Sequence, residues 1–139
     1  MDQEALQNFK KDLSIGDKDL ESMIAETFDE LIPKYVEEYI RRLGDYERQK
    51  VDLKIEEARL SIDVRENPMA YGLTKTTEKA LEEAVDANPK LEKLRSKLVS
   101  AKTDVAAYNL FITFLKERTK TLSIFYSTSM LEEDEEGDE

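Results

Sequence analysis

An all-α fold follows from three features of the sequence. Charged residues make up 38% of the 139 residues, against four Gly and three Pro, a balance typical of coiled coils and long helices. Two stretches carry apolar residues at unbroken spacings of three and four over many turns. Helix breakers are few and grouped. The expectation is one helical domain over residues 1–130: two long amphipathic helices, about 34–66 and 89–128, in an antiparallel hairpin, with short additional helices including one near 75–87. Coiled-coil or bundle packing in an oligomer is expected, followed by a disordered acidic tail over 131–139.

The first element is a short helix with Ala5, Leu6, Phe9 and Leu13 on one side. Ser14, Ile15, Gly16 and Asp17 then read as a turn, with Asp17 able to cap the next helix. From there to Arg65 only Pro33 interrupts. A proline removes one backbone hydrogen bond and pushes the preceding Ile32 away from helical angles, so a kink or break is expected there. Beyond it, Tyr39, Leu43, Tyr46, Lys50, Leu53, Glu57, Leu60 and Val64 form a heptad seam with two polar members. Lys50 and Glu57 are read as margin or register-setting positions. A second stripe of Val51, Ile55, Ala58 and Ile62 widens the apolar face beyond what a two-stranded coil uses and implies more than one neighbour.

Asn67-Pro68 and Gly72 end the first long helix near Glu66. The short helix that follows has Ala80, Leu81, Ala84 and Val85 on its apolar side, Glu78 in its first turn, and Thr74 or Thr76 as its cap. Asn88 and Pro89 suit the cap and first position of the next helix. There Leu91, Leu94, Leu98, Ala101, Val105, Tyr108, Ile112, Leu115, Thr119, Leu122 and Tyr126 keep the seam. Ala107, Phe111, Phe114, Thr121 and Phe125 widen it toward the C-terminal end, which is expected to be the most buried. A helix of nearly 40 residues is about 55–60 Å long, too long to cover both stripes within one chain. Leu98, Val105, Tyr108, Ile112, Leu115, Leu122 and Phe125 are therefore expected to mediate oligomerisation.

The chain has no Cys and no His, which excludes disulfides, thiolate nucleophiles, imidazole bases and Cys/His metal sites. The Gly residues are isolated, with no phosphate-binding loop. Carboxylate pairs such as Asp52 with Glu56 and Glu82 with Asp86 share helix faces, but a bundle metal site ordinarily adds His. No enzymatic activity, cofactor or metal is expected. No apolar run has the length of a signal peptide or a membrane span, so a cytoplasmic protein without membrane contact is expected.

The net charge of −11 is unevenly distributed: residues 67–130 carry 10 basic and 7 acidic side chains, and residues 131–139 carry 7 acidic and none basic. Lys90, Lys93, Arg95, Lys97 and Lys102 face only Glu92 within their segment, a positive patch that phosphate could use or a solvated helix face. Arg41, Arg42, Arg48, Lys50, Lys54, Arg59 and Arg65 add further cations, and Tyr35, Tyr39, Tyr46 and Tyr71 offer stacking surfaces. In residues 34–65 eight basic side chains meet eight acidic ones, the pattern of a helix laced with intrahelical ion pairs. The acidic tail reads as a solubilising end or as a mimic of nucleic-acid charge.

The opening LQNFKKDLSI with Gly16, Asp17 and Leu20, the element Glu57-Ala58-Arg59-Leu60, and the block from Tyr71 through Gly72, Leu73, Thr74, Lys75, Thr76 and Thr77 to Glu78 resemble the bacteriophage UvsY-type recombination mediators. The resemblance spans nearly the whole chain to about Tyr126. It implies a small helical subunit of a ring-like homo-oligomer that binds single-stranded DNA. It further implies that the oligomer helps load a RecA-like recombinase onto DNA coated by a single-strand DNA-binding protein, in the host cytoplasm if the chain is phage-encoded. Nucleic-acid contact would then fall to Arg41, Arg42, Arg48, Lys54, Arg59, Lys90, Lys93, Arg95 and Lys97. The family element is more basic than this one, where Glu57 precedes Ala58 and leaves Arg59 alone to meet a phosphate. The alternative is a helical assembly, adaptor or scaffold protein that uses the same stripes for protein partners without touching DNA.

Overall fold

Two helix starts in this chain are set by short polar side chains. The Asp19 carboxylate accepts from the Ser22 N–H at 2.7 Å, and Thr77 Oγ1 accepts from the Ala80 N–H at 3.3 Å. Each satisfies a first-turn donor that has no helical partner. The computed structural model describes residues 3–13 and 19–137, the side chains of 133–137 excepted. Among the described residues there are five α-helices and no strand: α1 Gln3–Asp12, α2 Leu20–Glu26, α3 Ile32–Glu66, α4 Glu78–Asp86 and α5 Pro89–Gly137. The fold class is all-α. The turn expected over Ser14 to Asp17 lies outside the described residues, and α2 takes its cap from Asp19.

Pro33 is accommodated without a break. A π-helical turn, Thr27–Leu31, precedes α3, and the Ile32 N–H reaches back five residues to the Thr27 carbonyl. Ile32 keeps helical angles, φ −59° and ψ −50°, which corrects the expectation that Pro33 would displace it. The wider turn just ahead of the proline ring relieves its clash with the carbonyl four residues back. Thr27 is buried here, and its hydroxyl donates to the Met23 carbonyl at 2.7 Å.

Residues 1–41 with 104–139 form one compact unit, and residues 42–103 form another. The core of the first joins Phe9 of α1, Leu31, Tyr35 of α3, and Ala107, Tyr108, Phe111, Ile112 and Leu115 of α5. Phe9 is its centre: the ring stacks on Phe111 with centroids 4.2 Å apart and meets Tyr35 edge-on at 5.2 Å. Such aromatic pairs contribute about 0.5–1.5 kcal/mol beyond the area they bury. Burial along α5 peaks at this 107–115 stretch, whereas Phe114, Ile124, Phe125 and Leu131 are exposed. The C-terminal end, expected to be the most covered, is the least. The helix also continues past the expected end near 128 to Gly137, through most of the run expected to be disordered. No Gly or Pro interrupts it before Gly137, and Met, Leu and Glu favour helix.

The second unit encloses Leu60 and Val64 of α3, Leu81 of α4 and Leu91 of α5, with Leu53, Tyr71, Leu73, Ala84, Val85 and Leu94 packed around them. The end of α3 meets the beginning of α5 there, as in a helical hairpin. Between them Asn67 leaves the helix, and a 3-10 turn, Pro68–Tyr71, ends on Gly72 at φ 72°, a left-handed angle that glycine adopts without the Cβ clash. Thr77, one residue beyond the expected Thr76, caps α4, and Asn88 Oδ1 accepts from the Lys90 N–H at 2.9 Å ahead of Pro89.

Both seams read from the sequence coincide with the covered faces. Every seam position from Tyr39 to Val64 and from Leu91 to Tyr126 is buried or half-buried. The second stripe of α3 is not: Val51, Ile55, Ala58 and Ile62 are all exposed.

Candidate nucleic-acid interface

The basic side chains of α3 are mostly held by acids three residues before them. Arg41 is engaged by Glu38, Arg48 by Asp45 at 3.1 Å, Lys50 by Glu47 at 3.5 Å and Arg59 by Glu56 at 2.6 Å. An acid placed N-terminal to its base at this spacing is favourable both pairwise and with the helix dipole. These are exposed pairs worth a few tenths of a kcal/mol each, but they cancel positive charge along the helix. Arg42 is half-buried.

In the 42–103 unit further pairs cross between helices. Glu56 also receives Lys90 at 3.1 Å, and Arg95 reaches Glu57 at 3.3 Å and Asp86 at 3.0 Å. Hydrogen bonds from Arg59 and then Lys90 hold the Glu56 carboxyl below its ordinary range. The Arg95 guanidinium is made still harder to deprotonate by its bond to Asp86, with Glu57 adding to it. Arg65 closes on Glu78 with one nitrogen against both carboxylate oxygens, at 2.8 and 2.7 Å. Glu57, the polar member of the α3 seam, is thus the residue that meets Arg95 of α5. That contact fits its reading as a register position.

Of the nine cations predicted to touch nucleic acid, Arg41, Arg48, Arg59, Lys90 and Arg95 are therefore in ion pairs. Lys54, Lys93 and Lys97 are exposed and carry no ion pair among the described residues, as is Lys102. Lys90, Lys93 and Lys97, at spacings of three and four, share one side of α5. The predicted stacking tyrosines are mostly engaged. Tyr35 lies in the core, Tyr39 and Tyr46 are half-buried, with Lys50 Nζ 4.9 Å from the Tyr46 ring centre, and Tyr71 donates its hydroxyl hydrogen to Asp63. A shallow cleft of the same unit places Lys54 with Glu57, Asp86 and Arg95 over Leu81 and Val85, so it offers both signs of charge and no single-sign channel.

The predicted oligomerisation residues divide. Tyr108, Ile112 and Leu115 are buried within the chain's own core, Leu98, Val105 and Leu122 are half-buried, and Phe125 is exposed. The first three are corrected from intermolecular to intramolecular contacts, because the seam that repeats most regularly is the one the chain covers first. The residue missed by sequence reasoning is Glu56, which gathers two cations. Its signal was the Glu56-x-x-Arg59 spacing. Among the described residues no group of three or more acidic side chains is arranged to hold a metal ion, and no helix is long and apolar enough to cross a membrane. No family model, curated protein or solved structure matches this chain.

Proposed function

We propose that the chain is a non-enzymatic, self-associating helical protein of phage DNA recombination that holds single-stranded DNA through its oligomer. In this reading it assists loading of a RecA-like recombinase onto strands coated by a single-strand DNA-binding protein. The observation that carries DNA contact is the set of exposed, unpaired lysines Lys93 and Lys97 beside Lys90 on α5, joined by Lys54 on α3. The recombinase and the coating protein rest on the resemblance described above.

The charge arrangement bounds how such a protein works. With most arginines neutralised by their own neighbours, each subunit offers about three free cations, a salt slope near −2 for single strands at about −0.7 per phosphate contact. Binding by one subunit is weak. An oligomer repeats the patch, and linked weak contacts raise the overall affinity by orders of magnitude without any new contact. Weak, repeated, salt-sensitive contact suits a protein that must pass a strand on.

The test is fluorescence anisotropy of a labelled single-stranded oligonucleotide at low and high salt, with mass by light scattering in the same buffers. Salt-sensitive binding by a multimer supports the proposal, and absence of binding at low salt by a folded multimer overturns it. A second reading, an adaptor that binds only proteins, is favoured by the exposed apolar stripe of Val51, Ile55 and Ile62. It would leave anisotropy flat while other proteins still bind.

A further inference from the structure

Among the exposed apolar residues, one set is ordered at heptad spacing within a single unit. Val51, Ile55 and Ile62 are 55%, 60% and 57% exposed, and Ala58 between them is exposed as well. Their spacings of four, three and four make a second seam over about three turns, roughly 16 Å of α3. A seam needs a partner, and the charges flanking this one specify which.

Taking Ile55 and Ile62 as the a positions and Val51 and Ala58 as the d positions, the flanking e positions hold Asp52, Arg59 and Glu66. The g positions hold Glu47, Lys54 and Ser61. A second copy laid parallel brings g against e of the next heptad, which sets Lys54 beside Arg59 and Glu47 beside Asp52, like against like at both flanks. An antiparallel copy stacks a on d and brings e against e. With Ile55 opposite Ala58, Val51 then lies opposite Ile62, all four apolar residues are covered, and Asp52 of each copy faces Arg59 of the other, twice by symmetry. A slip of one heptad either way sets Asp52 against Asp52, or Arg59 against Arg59.

We infer that the Val51–Ile62 stripe of α3 is the contact for a second copy of this chain, antiparallel, with Asp52 and Arg59 pairing across a two-fold axis. Such an isologous contact presents the same patch from both subunits. Arg48 and Arg65 fall opposite one another at its ends. Each is already paired at home, with Asp45 and Glu78, and together they limit the apolar contact to three turns. Asp52 carries no ion pair within the chain, whereas Arg59 retains Glu56, so the same guanidinium bridges Glu56 and the incoming Asp52. The inference deepens the self-association in the functional reading and does not depend on DNA contact.

The experiment uses the full chain without DNA. Sedimentation equilibrium is run on the native sequence, Ile55→Glu, Asp52→Arg, Arg59→Asp and the double exchange, with circular dichroism to establish that helicity is kept. Ile55→Glu and each single exchange should weaken association by at least about tenfold, since every single exchange creates two like-charge contacts. The double exchange should return it to within about threefold of native. Because the chain has no cysteine, orientation is read by cross-linking. Chains bearing Val51→Cys should join chains bearing Ile62→Cys on oxidation and should not join one another. Association indifferent to Ile55→Glu, a double exchange no better than the singles, or Val51→Cys chains joining each other would each overturn the inference. DNA binding that persists in a monomeric variant leaves the functional reading standing, so the two fail separately.

Discussion

The Tyr35 hydroxyl donates to the Asp12 carboxylate at 2.8 Å, and Lys34 Nζ reaches the same oxygen at 2.7 Å. This ties the last residue of α1 to the first turn of α3 at the edge of the aromatic core. Burial alone would raise the Asp12 pKa, but the bonds from Lys34 and Tyr35 outweigh it and hold the group below its ordinary 3.8. Tyr35 moves the other way: burial first, then the bond to Asp12, raises the phenol above its ordinary 10.0.

The signs of these shifts set a pH dependence. The Asp12 contribution is fully present above the ordinary carboxylate value and is lost as pH falls through it, because the unfolded chain then binds the proton more readily. The Tyr35 contribution is present below 10.0 and is lost as pH rises further. Denaturation midpoints followed against pH should fall at both extremes. Asp12→Ala should cost about 1–2 kcal/mol at neutral pH by leaving the phenol without its acceptor, and should flatten the acid limb. An unchanged acid limb in Asp12→Ala would count against the assignment.

Phe9→Ala should be the most damaging single substitution in α1, at about 3–5 kcal/mol, because the ring contacts Tyr35, Phe111 and Phe114 together. Urea midpoints report it. A loss below about 1 kcal/mol would mean that α1 does not hold this unit together.

In the 42–103 unit, packing should outweigh charge. Leu91 is fully buried, and Leu91→Ala should cost about 2–5 kcal/mol. Replacing Glu57 and Arg95 together by Gln should cost no more than about 1 kcal/mol, since both are part-exposed and screened by solvent. A larger loss from the pair than from Leu91 would reverse this ranking.

If single-stranded DNA is held by the unpaired lysines, Lys93→Glu with Lys97→Glu should reduce affinity at low salt by at least about tenfold and make the salt slope shallower. Arg48→Gln, which removes a cation already paired with Asp45, should change affinity by less than about threefold. Equal effects from the two would show that ion pairing within the subunit does not decide which cations are available.

The helices were legible in the sequence where a repeating property marks them. The seams from Tyr39 to Val64 and from Leu91 to Tyr126 fall on covered faces because burial follows a 3.5-residue period that single residues report directly. The end at Glu66, the Asn88 cap and Pro89 are local chemistry and were equally readable. Availability of a side chain was not. Nothing near Arg95 in the chain says that Glu57, thirty-eight residues away, will neutralise it, nor does the seam say that Tyr108 and Leu115 meet Phe9 and Tyr35 rather than another copy. Both depend on which helices face each other, which periodicity leaves open. Pro33 was read as a helix breaker because the rule assumes α geometry on both sides, and a π turn is the exception.

That turn also carries a consequence for how the sequence can vary. A π turn holds one residue more than an α turn, so Thr27–Leu31 behaves as a single-residue insertion that sets the angular phase of everything after it. Deleting one residue there, for instance exposed Phe28, would let the segment revert to α geometry and rotate α3 relative to α2 by about 100°, one residue's step at 3.6 per turn. Tyr35 would swing out of the aromatic core and a polar neighbour would swing in. Length at this point is therefore more constrained than composition: exchanges at exposed Phe28, Asp29 or Glu30 should be tolerated, while a one-residue deletion should abolish cooperative unfolding of the unit that contains Phe9 and Phe111.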